Sequence, residues 1–572
     1  MPEQLGSPFD IDEVPFARRG SWFDLSPVVG LHRRAENVHL VSHQTGMHPI
    51  FEFAPRRGGA PVDAAIVATP SVLRWSHADG LIEAAFENAD TLRVRGTGLG
   101  LWMREASDDL TPFTGSYLIT DPVDGAIVLT SYETGRRYRV TVLTGAVDVV
   151  GDGALGESER SLAFGTETPW EFALEEFETA RRPYTPRRTF DEVVEEVAAD
   201  FASYRDAVAP EASAGSEKAA YVLWSATVRP AGFVTREAVL MSKHWMDKVW
   251  SWDHCFNAIA LAASDPAAAL DQFLLPFDHQ DETGALPDSI THSEVLYNFV
   301  KPPIHGWAFQ RIRARAAVPL TREQLQVVYE RLSRWTEFWL VARRAPGRTV
   351  PYYQHGNDSG WDNSTAFDHA RVIESPDLAA FLVLQLDVLA ELAAELGIDG
   401  TDWAETAREV EAALLAEFWD GDFFVARSVA DGRASSTTSL LTALPIVLGD
   451  RLPPEIRSRL AGTIEEHLTA WGPATELVDS PRYQSDGYWR GPIWAPSTVL
   501  IEDGARRAGF TELADTIRER FLRLCERSGF AENFDALTGD GLRDRAYTWT
   551  ASAYLILLAD RSAHATPSRR KP

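Results

Sequence analysis

The spacing of apolar residues changes once along the chain, near residue 180, and this change limits the folds that the chain can adopt. Before it, short alternating apolar and polar runs recur, separated by turns rich in Gly, Asp and Pro, such as residues 121–125. After it, apolar residues follow the spacing of amphipathic helices. This order predicts an antiparallel β-sandwich followed by an all-α domain.

Helix start signals support the second half of this prediction. Thr189 with Glu192 and Thr321 with Gln324 have the spacing of capping boxes, and Pro376 stands at a first helical position. About a dozen helices without an intervening strand-rich domain favour an all-α toroid of helical hairpins, and the lack of a repeat of fixed period argues against a regular solenoid. The predicted domains are a β-sandwich over 1–180, a linker and helix over 181–215, and the all-α toroid over 216–572.

Predicted strands and helices follow from the same patterns. The strands are 38–41, 81–86, 92–94, 117–119, 126–129, 138–143 and 170–177. The helices are 189–208, 217–227, 253–264, 304–317, 321–343, 376–397, 402–419, 437–448, 453–470, 495–508, 511–528 and 547–561.

Net charge and cysteine content exclude several classes of protein. The 572 residues include 55 Lys and Arg against 83 Asp and Glu, a formal charge of −28, which argues against nucleic acid or an anionic membrane as partner. Two cysteines cannot form a disulfide scaffold. Because residues 1–30 lack the apolar core of a signal peptide and no apolar run reaches the length of a membrane span, we expect a cytoplasmic protein.

No cofactor is expected from the sequence. His and Cys do not cluster at the spacing of zinc ligands, and no phosphate-binding glycine loop is present. The acids are too numerous to single out ligands, so an all-oxygen calcium site remains an open alternative. The sequence carries no signal for an oligomeric state.

A short stretch at residues 357–364, with the sequence NDSGWDNS, is the strongest candidate for chemistry. It has too many turn-forming residues for a helix interior, so we predict a loop between helices. Burial beside an indole raises the pKa of a carboxyl group, which a proton donor needs near neutral pH. Asp362, next to Trp361, is therefore the predicted general acid.

Four other segments in predicted loops share this mixture of acids, indoles and small polar residues. Taken alone, the composition of each segment could equally reflect a helix cap, a turn or aromatic packing. Together they provide what glycoside hydrolysis requires: a second carboxylate, for which Glu532 is the candidate, and groups that bind hydroxyls and stack on sugar rings. The predicted substrate contacts are Trp252, Asp253, Phe256, Asp288, Lys301, Gly360, Trp361, Asn363, Trp489, Arg490, Trp494 and Trp549.

The order of these motifs resembles that of the (α/α)6-barrel glycosidases, the clan that contains the trehalases and glycoside hydrolase family 63. The run at 359–364 resembles the general-acid motif, YWRGPIW at 488–494 is similar to its family 63 form, and ENFD at 532–535 resembles the segment of the catalytic base. The resemblance covers residues from about 220 to the end. It implies an inverting α-glycosidase with Asp362 as acid and Glu532 as base, acting on α-glucosides such as oligosaccharides or glucosylglycerate.

Several alternatives stay open at this point. Trehalase or α-mannosidase specificity is possible within the hydrolases, although Lys301 stands where trehalases carry arginine. An epimerase or isomerase on a similar toroid would need a base such as His254, His305 or His355. A non-catalytic carbohydrate-binding protein would keep the indoles without a shared carboxyl pocket. For the inverting hydrolase, we expect the two carboxyls to be about 6.5–9.5 Å apart.

Overall fold

A computed structural model of the chain describes residues 6–107, 115–209 and 211–565. These residues divide into two compact units. The first is Met1–Lys248 with Thr291–Glu294, and the second is Val249–Ile290 with Val295–Pro572. The sequence-based division at residues 180 and 215 stays a prediction.

The first unit begins with two antiparallel sheets, which confirms the predicted β-rich region. One sheet has the order β1-β2-β3-β9-β14-β13 with β4 on β3, and the other has the order β10-β11-β12-β15-β8-β7-β6-β5. The strands are β1 Phe23–Gly30, β2 Arg33–Ser42, β3 His48–Arg57, β4 Ala60–Pro61, β5 Ala65–Ala68, β6 Leu73–His77, β7 Gly80–Asn88, β8 Thr91–Thr97, β9 Gly100–Glu105, β10 Ser116–Thr120, β11 Ile127–Ser131, β12 Arg136–Thr144, β13 Val147–Val150, β14 Ser161–Phe164 and β15 Trp170–Phe177.

Side chains from both sheets form one apolar core. Phe23 and Phe53 of the first sheet and Trp75 and Phe172 of the second belong to the same buried cluster. Burial of such large side chains contributes roughly 1.5–3 kcal/mol each to folding. The sequence did not reveal β1 because nearly all of its residues are buried, so the alternation that marks a half-exposed strand is missing.

Two helices and a short ladder complete the first unit. Helix α1 (Phe190–Val208) begins with the predicted capping box, in which the Thr189 side chain accepts from Glu192 N. Helix α2 (Ala214–Ala226) follows, and β16 (Thr227–Val228) pairs with β17 (Ala238–Val239).

The second unit is helical, as predicted. Its helices are α3 Asp253–Leu261, α4 Pro266–Asp278, α5 His305–Arg315, α6 Arg322–Glu337, α7 Gly356–Ser359, α8 Pro376–Leu396, α9 Thr401–Ala413, α10 Pro454–His467, α11 Ala495–Arg507, α12 Thr511–Ser528 and α13 Thr548–Ala565. Two π-helical turns, Phe338–Ala342 and Leu414–Phe418, extend α6 and α9. Along the described residues, no helix has both the length and the apolarity needed to cross a membrane.

One helix was not predicted, and one predicted helix needs correction. Helix α4 has no counterpart among the predicted helices; it contains Pro276, a residue that normally interrupts a helix. The segment predicted as a helix over 437–448 is a 3-10 helix, Leu440–Arg451, with Pro445 inside it. A proline removes a backbone donor, so it disfavours the regular α-helical pattern there.

The connections between helices carry short antiparallel ladders. These are β18 (Val249–Trp250) with β19 (Ser289–Ile290) and β20 (Val295–Leu296), β21 (Tyr352–Tyr353) with β22 (Ile373–Glu374) and β23 (Arg427–Ser428), and β24 (Asn533–Phe534) with β25 (Gly541–Leu542). The candidate acids lie within these connections or at their ends: Asp253 begins α3, Asp362 follows α7, and Glu532 precedes β24. Ladders in such connections restrain the loops that hold these acids.

Candidate active site

A single helical turn places Asp362. The His355 side chain caps α7 by accepting from Asn357 N at 3.2 Å, and Gly360 ends it in the left-handed conformation with φ 74°. Trp361 N then donates to Ser359 Oγ at 3.2 Å. The predicted loop is therefore a short capped turn. The hydrogen bonds within it involve residues 355–361 and not the Asp362 side chain.

The electrostatic setting of Asp362 suits a proton donor. Asp362 keeps partial surface exposure. Burial by surrounding protein atoms nonetheless raises the pKa of its carboxyl group, the nearby Lys301 ammonium opposes the rise, and the Asp288 carboxylate adds to it. A raised pKa keeps the proton on the carboxyl until it is needed.

Lys301 is the cation among these acids. It is buried, its Nζ lies 3.0 Å from Asp288 Oδ1, and it donates to Asn357 O at 3.1 Å. Burial alone would lower the pKa of Lys301, but the charges of Asp362 and Asp288 outweigh it and raise the pKa. Lys301 and Asp288, both predicted to contact substrate, therefore form an ion pair with each other.

Asp253 presents an oxygen that the protein does not use. Burial raises the pKa of its carboxyl to about 8, with Lys301 opposing. Among the described residues, no hydrogen-bond partner reaches the buried Asp253 Oδ2. Buried polar atoms are nearly always hydrogen-bonded, so this oxygen fits the predicted contact to a ligand or a water. Asp253 is not the N-cap of α3, which would be its alternative role. The N-cap residue is Trp252, and its side chain makes no capping hydrogen bond.

Glu532 is held at the start of β24. Its backbone N–H donates to Asp544 O at 2.7 Å, and its side chain is buried. Burial and the Asp544 charge raise the pKa of Glu532 to about 8, while Arg543 and a hydrogen bond with Tyr488 oppose the rise. Glu532 Oε2 also lacks a hydrogen-bond partner among the described residues.

The two candidate catalytic carboxyls share one electrostatic environment. The charge of Asp362 contributes to the raised pKa of Glu532, after burial, Asp544 and the two opposing groups. Both carboxyls, together with Asp253, also raise the pKa of the half-buried Tyr488 phenol, for which burial by surrounding protein atoms is the largest cause. The fold therefore brings together acids that are far apart in the sequence.

The predicted stacking residues contact one another. Trp489 and Trp494 are stacked, with ring centroids 4.1 Å apart and planes at 6°. Trp361 lies 4.7 Å from Trp489, and Trp549 lies 5.4 Å from Trp494. All four are buried. This cluster supports the loops of both acids, while stacking on a sugar ring stays a prediction.

A second group of aromatic rings continues this cluster. Trp252 lies 6.3 Å from Trp489, and Phe256 lies between Trp252 at 6.4 Å and Trp307 at 5.8 Å. Gly360 faces the Trp252 ring so closely that an added Cβ would lie 2.5 Å from a ring carbon. The predicted site residue Gly360 is thus needed for the close packing of the acid loop.

Gly360→Ala is expected to lower both stability and turnover. An alanine with left-handed φ costs about 1–2 kcal/mol, and the contact with Trp252 adds to this by displacing the loop of Asp362. Gly397→Ala is the matched control, since Gly397 has φ 71° and open space around its Cβ position. Thermal unfolding and kcat of both variants check this. Equal losses in the two variants would contradict a role for the contact with Trp252.

Asn363 and Arg490, both predicted to contact substrate, join two loops. Asn363 Nδ2 donates to Gly487 O at 3.0 Å, and its Oδ1 accepts from Trp489 N at 2.9 Å. Arg490 Nε donates to Asn363 O at 2.7 Å, and its Nη2 pairs with Asp368 at 2.5 Å. These bonds fix the acid loop to the segment that contains Tyr488.

Sequence reasoning missed three residues beside Glu532: Tyr488, Arg543 and Asp544. Tyr488 was inside the motif at 488–494, and Asp544 was outside the motifs. Arg543 had no sequence signal, because its position next to Glu532 depends on the pairing of β24 with β25.

The histidines considered for an epimerase are placed differently from one another. His305 is packed among aromatic rings, and burial lowers its pKa to about 3. His254 Nδ1 lies 3.1 Å from Trp250 O. His355 caps α7 and stacks on Phe299, with ring centroids 5.2 Å apart. No group of three or more His, Cys, Asp or Glu within the described ranges has the arrangement of a metal site.

Comparison with known proteins identifies the family. The profile described as "Mannosylglycerate hydrolase MGH1-like glycoside hydrolase domain" matches residues 246–550, more than half of the chain. The chain belongs to this family. The glycoside hydrolase assignment and the likeness to family 63 are thereby confirmed, and the matched range contains every candidate site residue.

Individual relatives match slightly more than half of the chain. A mannosylglycerate hydrolase of Rubrobacter radiotolerans is 25% identical over 54% of this chain and 90% of its own length. A mannosylglycerate hydrolase of Thermus thermophilus is 24% identical over 54% of this chain and 93% of its own. A glucosylglycerate hydrolase of Mycolicibacterium hassiacum is 25% identical over 59% of this chain and 96% of its own.

A solved structure shares the fold of more than half of the chain. A family 63 mannosylglycerate hydrolase of Thermus thermophilus, in complex with Tris and D-glycerate, matches with a TM-score of 0.53 and 22% identity. The match covers 59% of this chain and 98% of that one.

Proposed function

We propose that this protein hydrolyses the α-glycosidic bond of a small glycosyl solute by an inverting mechanism. Asp362 is the general acid and Glu532 the general base. The observation that carries this proposal is that the two carboxyls, each with a raised pKa, share one electrostatic environment within the matched hydrolase region.

The surroundings of each carboxyl suit its role. Asp362 gives its proton to the leaving oxygen and becomes a carboxylate, which the Lys301 ammonium then stabilises. Glu532 must be ionised to take a proton from water, and Arg543 and Tyr488 favour that form against burial and Asp544. A turnover leaves Glu532 protonated and Asp362 ionised, so both must exchange protons with solvent before the next one.

The names of the relatives refine the substrate class. Two long matches are mannosylglycerate hydrolases and one is a glucosylglycerate hydrolase. They favour a mannosyl group over the α-glucosyl group expected from the sequence. We therefore propose a glycosylglycerate-like α-glycoside, with the mannoside as the first candidate. Asp253, with its unused oxygen, is the proposed acceptor for a sugar hydroxyl.

The architecture that we propose for the catalytic region is the (α/α)6 toroid, with the candidate site at one end. The likeness of more than half of the chain to a family 63 structure supports it. A cytoplasmic location, the absence of a cofactor and the predicted domain boundaries belong to the same proposal.

Proton NMR of the reaction products tests this function. α-Mannosylglycerate, α-glucosylglycerate and trehalose are incubated with the protein, and we expect free sugar that first appears as the β-anomer. Release of the α-anomer first would contradict the inverting mechanism. Interconversion of free sugars without cleavage would support the epimerase, and binding without any product would support a carbohydrate-binding protein.

A further inference from the structure

Two residues beside Glu532 adopt a backbone conformation that side chains rarely tolerate. Tyr488 has φ 63° and Arg543 has φ 61°, and among the described residues of the second unit they are the only non-glycine residues with positive φ. Such conformations persist where surrounding contacts enforce them, and they are concentrated at functional sites.

Arg543 makes the contacts that enforce them. Its guanidinium carbon lies 5.0 Å from the centroid of the Tyr488 ring. Its Nη2 pairs with Asp486 Oδ1 at 2.6 Å, and its Nη1 donates to Asn533 Oδ1 at 2.9 Å. One side chain thus joins the loop before Trp489 to the strand that begins after Glu532.

Two of the residues that Arg543 contacts are close to Glu532. Asn533 is its neighbour in the chain, and Tyr488 lowers the pKa of the Glu532 carboxyl against the effect of burial. The other charges that act on this carboxyl are Asp544 and Asp362. Arg543 is therefore the cation that opposes two acids around Glu532.

We propose that Arg543 is a positioning residue for Glu532: it holds the Tyr488 ring and the side chain of Asn533, the neighbour of Glu532 in the chain, and so fixes the segments around the carboxyl. This inference rests on the proposed role of Glu532 as base. It accounts for the unfavourable φ of both residues, since the left-handed turns bring the Arg543 guanidinium and the Tyr488 ring together.

A purely structural role for Arg543 is the competing explanation, and Arg527 provides the matched control. The Arg527 guanidinium lies 4.4 Å from the centroid of the Trp471 ring, and its Nη2 lies 3.3 Å from Asp540 Oδ1. Arg527 thus combines an aromatic face with an acid, as Arg543 does, but it does not act on the carboxyl of Glu532.

The test compares Arg543→Gln, Arg543→Lys and Arg527→Gln at several pH values. Loss of the positive charge raises the pKa of Glu532, which is already about 8. If the pKa of Glu532 rises by one, kcat/KM at pH 6 falls about tenfold, because the ionised fraction of the base falls tenfold. This loss of kcat/KM relative to the wild type disappears well above the pKa of Glu532, where the base is ionised in every variant. We expect KM to change little, Arg543→Lys to recover most of the activity at pH 6, and Arg527→Gln to match the wild type.

A readout that does not need turnover separates the two proposals. Infrared difference titration detects carboxyl ionisation, and Glu532→Gln identifies the Glu532 band. We expect Arg543→Gln to raise the midpoint of that band and Arg527→Gln to leave it unchanged. An unchanged midpoint in Arg543→Gln, or a loss of kcat/KM that is equal at all pH values, would overturn the role of Arg543. Normal activity of Glu532→Gln would instead overturn the proposed base.

Discussion

Asp362→Asn is expected to lower kcat on a natural glycoside by about 10²–10⁴-fold, the usual contribution of a positioned acid or base. Asparagine has nearly the same shape but cannot give up the proton that the leaving oxygen needs. Lys301 keeps Asp288 as its ion-pair partner, so the variant should fold. Asp377→Asn is a control for buried aspartate, since Asp377 is buried on α8 and hydrogen-bonded to Tyr353.

The choice of leaving group shows whether Asp362 is the acid. The dinitrophenolate group of a 2,4-dinitrophenyl glycoside leaves without being protonated. Asp362→Asn should therefore lose far less activity on this substrate than on the natural one. An equal loss on both substrates would mean that Asp362 acts in some other way, for example by binding the sugar. Steady-state kinetics with both substrates, together with circular dichroism, make this measurement.

Glu532→Gln is expected to lower kcat to a similar extent, about 10²–10⁴-fold, on every substrate. The base activates water whichever group leaves, so a better leaving group should not restore activity. Glutamine keeps the size of the side chain, so the variant should fold. Glu502→Gln is the control, because Glu502 is a buried glutamate whose carboxyl pairs with Arg506 at 2.6 Å.

The kinetic pattern of the two variants distinguishes their roles. A recovery of Glu532→Gln on the dinitrophenyl glycoside would assign it to the acid step and reverse the assignment. The double variant should be only slightly less active than either single variant, because residues that act in one chemical step are strongly non-additive.

The family-level function and the loop positions of the site could be predicted from the sequence. Asp362 and Glu532 stand in short motifs whose turn-forming residues exclude a helix interior, and the structure places both in connections between helical elements. Capping residues such as Thr189 and Thr321 marked helix starts correctly. These signals are local, so a single sequence contains them in full.

Contacts between distant segments could not be predicted in this way. Asn363 looked like a sugar-binding residue, but its amide bonds to the loop at 487–489, and Arg490 bonds to Asn363 and Asp368. The aromatic residues looked like stacking platforms, but Trp489 is stacked against Trp494. A motif shows which groups are available but not which of them the protein itself uses.

The sequence by itself determined the order of a β-rich region and a helical region, and it placed two acids on turns where chemistry can occur. It did so because turn formation, capping and apolar spacing depend on neighbouring residues. Only the tertiary structure decided that Lys301 stands beside Asp362 and that Arg543 and Tyr488 stand beside Glu532. The ionisation of each carboxyl depends on burial and on charges from distant parts of the chain, and these are set when the helices and loops pack together.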